Sequence, residues 1–263
     1  MKQLITILLF ALCFAACQNT AESETPTEDT IETPPAEEWI ILFDGTSTEG
    51  WRAYNGESLP PQWIIEDGVL TFSDEAKQSD VEHEGGKDII YAAEEFENFE
   101  LYLEWKIPKG GNSGIFYHAK EGYDGPYEAA PEYQMIDDEN YAEMHDLVAY
   151  NTSLGHDNPE QLQPLQQTGA DYAMYPANDE VKKLNPAGEW NTTRIVFTPE
   201  QVEHWLNGEK VVSFVPWSED WQERKNNGKW KDFPDYGKFK KGYIGLQDHD
   251  SPLWFRNIKV KKL

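Results

Sequence analysis

The segment EYQMI at residues 132–136 places a carboxylate and an amide two positions apart among apolar residues. Because side chains alternate along a β-strand, Glu132 and Gln134 share one face, roughly 7 Å apart. A second predicted strand, residues 114–118, ends at His118 and faces the first across a loop rich in Tyr, Gly and Pro. This polar face is either the solvated outside of a sheet or the floor of a binding cleft with groups for proton transfer.

The segments around these residues have the composition of strands. Residues 100–107 alternate apolar and polar side chains, and β-branched and aromatic runs follow at 193–198, 201–206 and 210–215. Asn207 and Gly208 separate the last two runs and predict a tight hairpin. Residues 242–247 and 253–260 predict a final strand pair, and residues 216–228 a short helix. We therefore expect an all-β fold, an antiparallel β-sandwich or jelly roll with long loops.

Two segments, residues 139–168 and 216–241, are too long for hairpin turns. Long loops on a sandwich are usually functional or disordered. The chain has 10 Trp and 13 Tyr; we expect most of them in the core, while a ring at a cleft can stack on the C–H face of a sugar. The candidates for sugar stacking, each with a packing role as the alternative, are Tyr123, Tyr127, Tyr133, Tyr172 and Trp254.

The first residues have the pattern of an export signal. Lys2 precedes an apolar run at residues 4–14, and two alanines precede Cys17, which predicts a signal peptide at residues 1–16. This arrangement resembles the lipobox of bacterial lipoproteins, in which Cys17 would be lipidated; cleavage without lipidation is the alternative. Residues 17–38, rich in Pro, Thr and Glu, predict a disordered acidic tether, and residues 39–263 a single domain. We expect an exported protein anchored by lipid to a bacterial membrane, facing the periplasm or the outside.

The charge of the chain limits the partners that it can bind, and its cysteine content limits what can stabilise the fold. The formal net charge is −26 at pH 7, and such a surface repels nucleic acid and anionic lipid headgroups. We therefore expect no nucleic-acid partner and a neutral or cationic ligand. The two cysteines are Cys13 and Cys17, so the mature domain has no pair of thiols and must rely on a sizeable hydrophobic core.

Six segments of the domain occur in an order that resembles a known bacterial family. They are FDGTSTEGW at residues 43–51, NSGIFYH at 112–118, PEYQMIDD at 131–138, GEWN at 188–191, VEHWLNG at 202–208 and GYIGLQDHDSPLWFRNIKV at 242–260. Together they resemble the 3-keto-disaccharide hydrolase domain family over nearly all of residues 39–263. The resemblance implies a concanavalin A-like, laminin G-like β-sandwich and a carbohydrate substrate.

The resemblance also implies cleavage of glycosides whose sugar ring carries a ketone at C3. Such a ketone acidifies the C2 proton, so a general base can remove it. The resulting enolate, held by a hydrogen-bond donor or a metal, expels the C1 substituent, and water then adds back. Without that addition the outcome is elimination. The hypothesis is an exported glycan-processing hydrolase that acts on 3-keto-glycosides or 3-keto-disaccharides.

Roles are assigned to the residues by their type and strand face. Glu132 is the expected base or substrate-positioning carboxylate, and His118 and His249 are expected proton or hydrogen-bond donors to the enolate or the leaving group. Contacts to the substrate are expected from Asn112, Ser113, Gln134, Tyr133, Tyr172, Gln247, Trp254 and Arg256. For Arg256 a structural ion pair is the alternative, and for Asn112, Ser113 and Gln247 a loop-anchoring role is the alternative. His204 shares a face with two apolar residues and is expected to be buried and structural.

Asp137 and Asp138 raise the question of a metal ion. Their carboxylates could bind a divalent cation through oxygen ligands, and a solvated acidic run is the alternative interpretation. The sequence requires no cofactor.

Two functions from other classes remain open. The domain could be a non-catalytic carbohydrate-binding module at the cell surface, because sandwich folds often serve that purpose. It could also be a conventional glycosidase that uses two carboxylates on an unmodified sugar. The combination of Glu132 with two histidines favours an enzyme.

Overall fold

The computed structural model describes residues 38–73 and 88–263, and the strands of these residues form two antiparallel sheets. Numbered in chain order, the strands are β1 (Ile40–Phe43), β2 (Trp51–Ala53), β3 (Trp63–Glu66), β4 (Val69–Phe72), β5 (Ile89–Tyr91), β6 (Phe99–Lys106), β7 (Asn112–Ala119), β8 (Glu132–Ile136), β9 (Asn191–Phe197), β10 (Val202–Leu206), β11 (Glu209–Phe214), β12 (Tyr243–Leu246) and β13 (Leu253–Lys262). The predicted signal peptide and Cys17 lie outside the described residues, as does the tether up to residue 37.

The larger sheet has eight strands in the order β11-β10-β9-β6-β13-β4-β3, with β1 paired to β13. The smaller sheet has five strands in the order β2-β5-β12-β7-β8. One hydrophobic core joins them, since Leu101 and Trp105 of β6 belong to the same buried cluster as Ile115 of β7 and Met135 of β8. The predicted all-β antiparallel sandwich is confirmed.

Side-chain alternation explains why the larger sheet faces the core on one side and water on the other. Along β6 every second residue is buried, and the buried set begins at Phe99 and ends at Trp105. The same alternation runs through β9. Burying such side chains stabilises the fold by roughly 1.5–3 kcal/mol each.

Both long loops carry short helices. The first contains α1 (Tyr141–Met144) and α2 (Val148–Ser153), and the second contains α3 (Glu219–Asn227) followed by a 3-10 turn, Lys229–Asp232. Ser218 caps α3, because its hydroxyl accepts a hydrogen bond from the amide of Trp221 at 3.2 Å. Within the described part of the chain, no helix is long and apolar enough to cross a membrane.

The local predictions succeed where strands are neighbours in both sequence and space. Strands β7 and β8 pair antiparallel, with Gly114 opposite Gln134. Asn207 and Gly208 have φ angles of 47° and 85°, which fits the predicted tight hairpin between β10 and β11.

The predicted final pair is wrong, because β12 and β13 belong to different sheets. Strand β12 pairs with β5 and β7, whereas β13 pairs with β6, β4 and β1. The segment between them crosses from one sheet to the other. It thereby carries Gln247, Asp248 and His249 to the end of the smaller sheet.

Candidate active site

A cleft lies on the face of the smaller sheet that is turned away from the larger sheet. Ile115, Tyr117 and Met135 point into the shared core, so the alternate residues of β7 and β8 point outward. Two adjoining cavities of about 310 and 300 Å³ lie there. Both are lined by Asn112, Gln134, Tyr172, Lys229 and His249.

Glu132, the first residue of β8, lines the second of these cavities and is only 3% exposed. Its carboxylate leans across the sheet onto β7, where a Cβ added to Gly114 would lie 1.8 Å from Oε1. Glycine at position 114 therefore leaves the space that the carboxylate occupies. The Glu132 side chain has no hydrogen-bond partner among the described residues, so its oxygens are available to a ligand.

Burial raises the pKa of Glu132 to about 8, because a carboxylate loses its hydration in this position. The Lys229 ammonium acts in the opposite direction, and the carboxyl groups of Asp88 and Asp171 raise the pKa further. A carboxyl group with a pKa near neutrality can act as a general base or as a general acid.

Lys229 brings a positive charge to the boundary between the two cavities. Its Nζ lies 4.2 Å from the ring centre of Tyr172 and 4.5 Å from that of Trp230. These contacts hold the ammonium by its attraction to aromatic rings. Within residues 38–73 and 88–263, the side chain of Lys229 forms no ion pair or hydrogen bond, so the N–H donors of its ammonium group remain available to the cleft.

Two amides offer neutral hydrogen-bonding groups on the cleft floor. Gln134 uses Oε1 to accept a 3.2 Å hydrogen bond from the amide of Met135, which leaves its NH₂ group for a ligand. Asn112 Nδ2 lies 3.5 Å from the hydroxyl of Tyr141. The Oδ1 atom of Asn112 is buried with no hydrogen-bond partner in the described structure. Such an orphaned acceptor suits a ligand hydroxyl.

The crossing segment after β12 and residue Asp88 form the far side of the second cavity. Asp88 Oδ1 accepts a 2.8 Å hydrogen bond from the amide of Asp248, and burial raises the pKa of Asp88 to about 7. Gln247 lines the cavity, and His249 is exposed at its edge. Ser113 is fully buried, and its hydroxyl donates to the carbonyl of Gln247 at 2.8 Å, so it positions the segment and does not line the cleft.

His118 lies outside the cleft, which corrects the prediction that it would face Glu132. Its Nε2 is 2.8 Å from the carbonyl of Glu97, and its ring centre is 4.3 Å from that of Phe197. The pairing of β7 with β12 is irregular just before this residue, and His118 has a φ of 55°. The irregularity turns the imidazole inward, where burial lowers its pKa to about 4.

Four more predicted contact residues also lie elsewhere. Tyr133 points into the core, with its ring centre 4.9 Å from that of His204. Trp254 and Arg256 lie on the outer face of the larger sheet, where Lys106 covers Trp254 and Arg256 Nε pairs with Glu104 at 2.7 Å. Tyr123 donates to Asp235 at 2.7 Å and lines neither cavity. Tyr127 and Tyr172 do line the cleft.

Asp137 and Asp138 point into separate hydrogen-bond networks instead of forming one site. Asp137 Oδ2 accepts from the amide of Gly110 at 2.8 Å. Asp138 accepts from the amide of Thr168 at 2.8 Å and pairs with Lys182 at 3.0 Å. In the described ranges no group of three or more His, Cys, Asp or Glu side chains is arranged to hold a metal ion.

Sequence reasoning missed Asp88, Lys229 and Gly114. Lys229 and its neighbour Lys231 flank Trp230 in similar surroundings, so only the fold distinguishes them. Asp88 follows an acidic, polar stretch and gives no local signal. Gly114 stands opposite Gln134 in the predicted strand pair, and a glycine at that position could have indicated a close approach by a side chain.

The cleft belongs to a domain that matches a known family. The model of the family described as "3-keto-alpha-glucoside-1,2-lyase-like domain" matches residues 38–261. The chain belongs to this family. The resemblance predicted from six short segments is thereby confirmed.

Three relatives extend the comparison. A 3-keto-disaccharide hydrolase of Bacteroides thetaiotaomicron is 36% identical over 256 residues, which cover 89% of this chain and 82% of that protein. The crystal structure of a candidate glycosyl hydrolase from Parabacteroides distasonis is 40% identical, with a TM-score of 0.74 over 86% of this chain and 95% of that one. A second candidate glycosyl hydrolase from the same species is 27% identical, with a TM-score of 0.57 over 86% and 100%. Glycoside hydrolysis is the class of chemistry that these relatives support.

Proposed function

We propose that this protein cleaves the glycosidic bond of 3-keto-glycosides, and of 3-keto-disaccharides in particular, by removing the C2 proton in the cleft. The observation that carries the proposal is the Glu132 carboxyl group. It is buried, leans over Gly114 and has no hydrogen-bond partner among the described residues. A base that attacks a weakly acidic C–H bond needs this combination of high pKa and free lone pairs.

The remaining groups of the cleft fit the charge changes of this reaction. When Glu132 takes the C2 proton, negative charge moves to the C3 oxygen. The Lys229 ammonium supplies positive charge at the boundary of both cavities, and a fixed donor of this kind stabilises a developing oxyanion. Collapse of the enolate expels the glycosidic oxygen from C1. Addition of water to the resulting double bond completes hydrolysis.

The shape of the cleft supports a substrate with two rings. Each of the adjoining cavities has a volume of about 300 Å³, close to the lower size limit of small-ligand pockets. The keto sugar would occupy the cavity that contains Glu132, with Tyr127 beside it. The departing group would occupy the cavity lined by Tyr141, Leu147, Tyr150, Leu162 and Tyr172.

The decisive experiment incubates the purified domain with a 3-keto-glucoside and, separately, with its parent glucoside. Release of the aglycone from the keto form alone is the expected result. Cleavage of the parent glucoside at a similar rate would replace the proposal with a conventional glycosidase, an alternative supported by the two carboxyl groups, Glu132 and Asp88, in one cavity. Tight binding of both compounds without turnover would indicate a carbohydrate-binding module instead.

We also propose that the chain is exported and lipidated at Cys17, on the pattern of residues 1–17. Expression in bacteria fed a radiolabelled fatty acid should label the full chain, and the C17S variant should carry no label. Equal labelling of both chains, or of neither, would contradict lipidation at this residue.

A further inference from the structure

Asp88 and Glu132 both line the second cavity, and the order of the strands limits how far apart they lie. Strands β12 and β7 lie between β5, which Asp88 precedes, and β8, which Glu132 begins. Neighbouring strands are about 4.8 Å apart. The backbones of the two residues are therefore separated by about three strand spacings across the sheet and by two residues along it, because Glu132 aligns with Ile90 through Phe116 and Gly245.

Both side chains shorten this gap by leaning inward. The Glu132 carboxylate lies over Gly114 of β7. The Asp88 carboxylate reaches the amide of Asp248, which follows β12. The carboxyl groups consequently face each other across roughly one to two strand spacings, on the order of 5–10 Å. Glycoside-cleaving enzymes hold the two carboxyl groups that flank a glycosidic bond in this range.

We propose that Asp88 is the general acid that protonates the leaving glycosidic oxygen, a role that rests on the function proposed above. Asp88 accepts one hydrogen bond through Oδ1, and within the described residues Oδ2 has no further partner. A protonated Oδ2 can therefore donate to a ligand. Tyr127 and Gln247 line the same cavity and can hold the sugar between the two carboxyl groups.

The proton count closes over one cycle. Glu132 begins ionised and removes the C2 proton, while Asp88 begins protonated and gives its proton to the C1 oxygen as the C1–O bond breaks. Water then adds across the C1–C2 double bond. As the oxygen of that water bonds to C1, Asp88 takes one proton from the water, and Glu132 returns a proton to C2. Both carboxyl groups end in their starting states, and no oxidant or cofactor is consumed.

The cycle needs one proton on the pair of carboxyl groups at its start. Burial raises the pKa of Asp88 to about 7 and that of Glu132 to about 8, so the pair retains at least one proton at neutral pH. The cycle begins from the form of the singly protonated pair in which that proton lies on Asp88.

The test compares two 3-keto-glucosides that differ only in the leaving group. The 4-nitrophenoxide group leaves without protonation, whereas methoxide leaves only when an acid protonates its oxygen. We expect D88N to lower kcat/KM for the methyl glycoside by about 10²–10³-fold and for the nitrophenyl glycoside by less than about tenfold. The D88E variant should recover much of the lost activity on the methyl glycoside, because it restores an acid at this position.

H249N tests the competing donor, because His249 lines the same cavity, and we expect any loss in H249N not to depend on the leaving group. An equal loss on both substrates in a folded D88N variant would overturn the assignment, as would a leaving-group-selective loss in H249N but not in D88N. Failure of the proposed function gives a different result. In that case the unmutated protein cleaves neither 3-keto-glucoside, before any variant is compared.

Discussion

The two faces of strands β7 and β8 both bury ionisable groups, but they supply them with very different partners. On the core face, the hydroxyl of Tyr117 lies 3.1 Å from Asp171 Oδ1 and 3.3 Å from His204 Nε2. His204 Nδ1 lies 3.0 Å from the carbonyl of Gly169. On the cleft face, Glu132 has no such chain of contacts to the described residues.

The core-face chain is consistent with a fully neutral network. Burial raises the pKa of Asp171 to about 8 and lowers that of His204 to about 4. At neutral pH a protonated Asp171 can donate to Tyr117, and Tyr117 can then donate to His204, whose other nitrogen donates to Gly169. A buried ionisable group is therefore not by itself a sign of function. Asp171 Oδ2 is likewise buried without a hydrogen-bond partner in the described residues, but Asp171 lines neither cavity of the cleft. The sign is an unpartnered buried group that lines a cavity, as Glu132 does.

The largest expected effect comes from removing the free carboxylate. The E132Q variant should keep its fold, because glutamine is isosteric, and should lose about 10³-fold in kcat on a 3-keto-glucoside, the usual range for a general base. E104Q, on the outer face of the larger sheet, is the matched control and should keep its activity. Activity of E132Q within a few-fold of the unmutated protein would contradict a catalytic role for the cleft face.

Removal of the cleft cation should have the next largest effect. The K229M variant should lose about 10²-fold in kcat, because the enolate oxygen loses a preorganised positive charge. Lys231 is exposed two residues away, so K231M should behave like the unmutated protein. Steady-state kinetics of both variants measure the difference, and equal rates would remove Lys229 from the mechanism.

A smaller effect tests the placement of the carboxylate without removing it. In G114A the added methyl group would occupy the position of Glu132 Oε1 and push the flexible end of that side chain aside. We expect roughly a tenfold or greater loss of kcat/KM with little change in Tm, since misplacement of a reacting group by about 1 Å is costly. In the E132Q background the same substitution should cost almost nothing, and equal losses in both backgrounds would count against the contact.

A substitution on the core face should change the stability of the protein and leave its activity unchanged. The pKa of Asp171 is raised from 3.8 to about 8 in the folded state, so between those pH values the unfolded chain releases a proton that the folded chain keeps. This contribution to stability is full below pH 3.8 and is lost as the pH rises toward 8. In D171N the free energy of unfolding should depend less on pH in this window, by up to about 1.4 kcal/mol per pH unit. Urea unfolding at several pH values measures this, and parallel curves would contradict a buried proton on Asp171.

The sequence was sufficient for the parts of the site that depend on local alternation. Glu132 and Gln134 share a face because strand geometry requires it, and the pairing of β7 with β8 joins neighbouring segments. His118 could not be placed in this way, because an irregularity in β7 interrupts the alternation just before it. Asp88 and Lys229 reach the cleft from segments far apart in the chain, and only the assembled sheet order and the second long loop bring them together.

Trp254 and Arg256 illustrate a second limit. Alternation along β13 correctly separates them from the buried Phe255, but it does not say which sheet the strand joins. Since β12 and β13 belong to different sheets, residues on either side of one short loop face opposite sides of the molecule. A stacking aromatic and a cation on a strand are therefore weak evidence for a site until the sheet is known.

An isotope experiment shows whether Glu132 removes the C2 proton of a 3-keto sugar. A 3-keto-glucoside carrying deuterium at C2 is incubated with the protein in ordinary water, with the enzyme-free solution as control for spontaneous exchange. We expect deuterium at C2 to slow product formation by a primary isotope effect and C2 to exchange hydrogen with the solvent above the enzyme-free control, with both product formation and exchange greatly reduced in E132Q. Product that keeps all of its C2 deuterium and forms without an isotope effect would contradict this, because the glycosidic bond would then have broken without the C2–H bond.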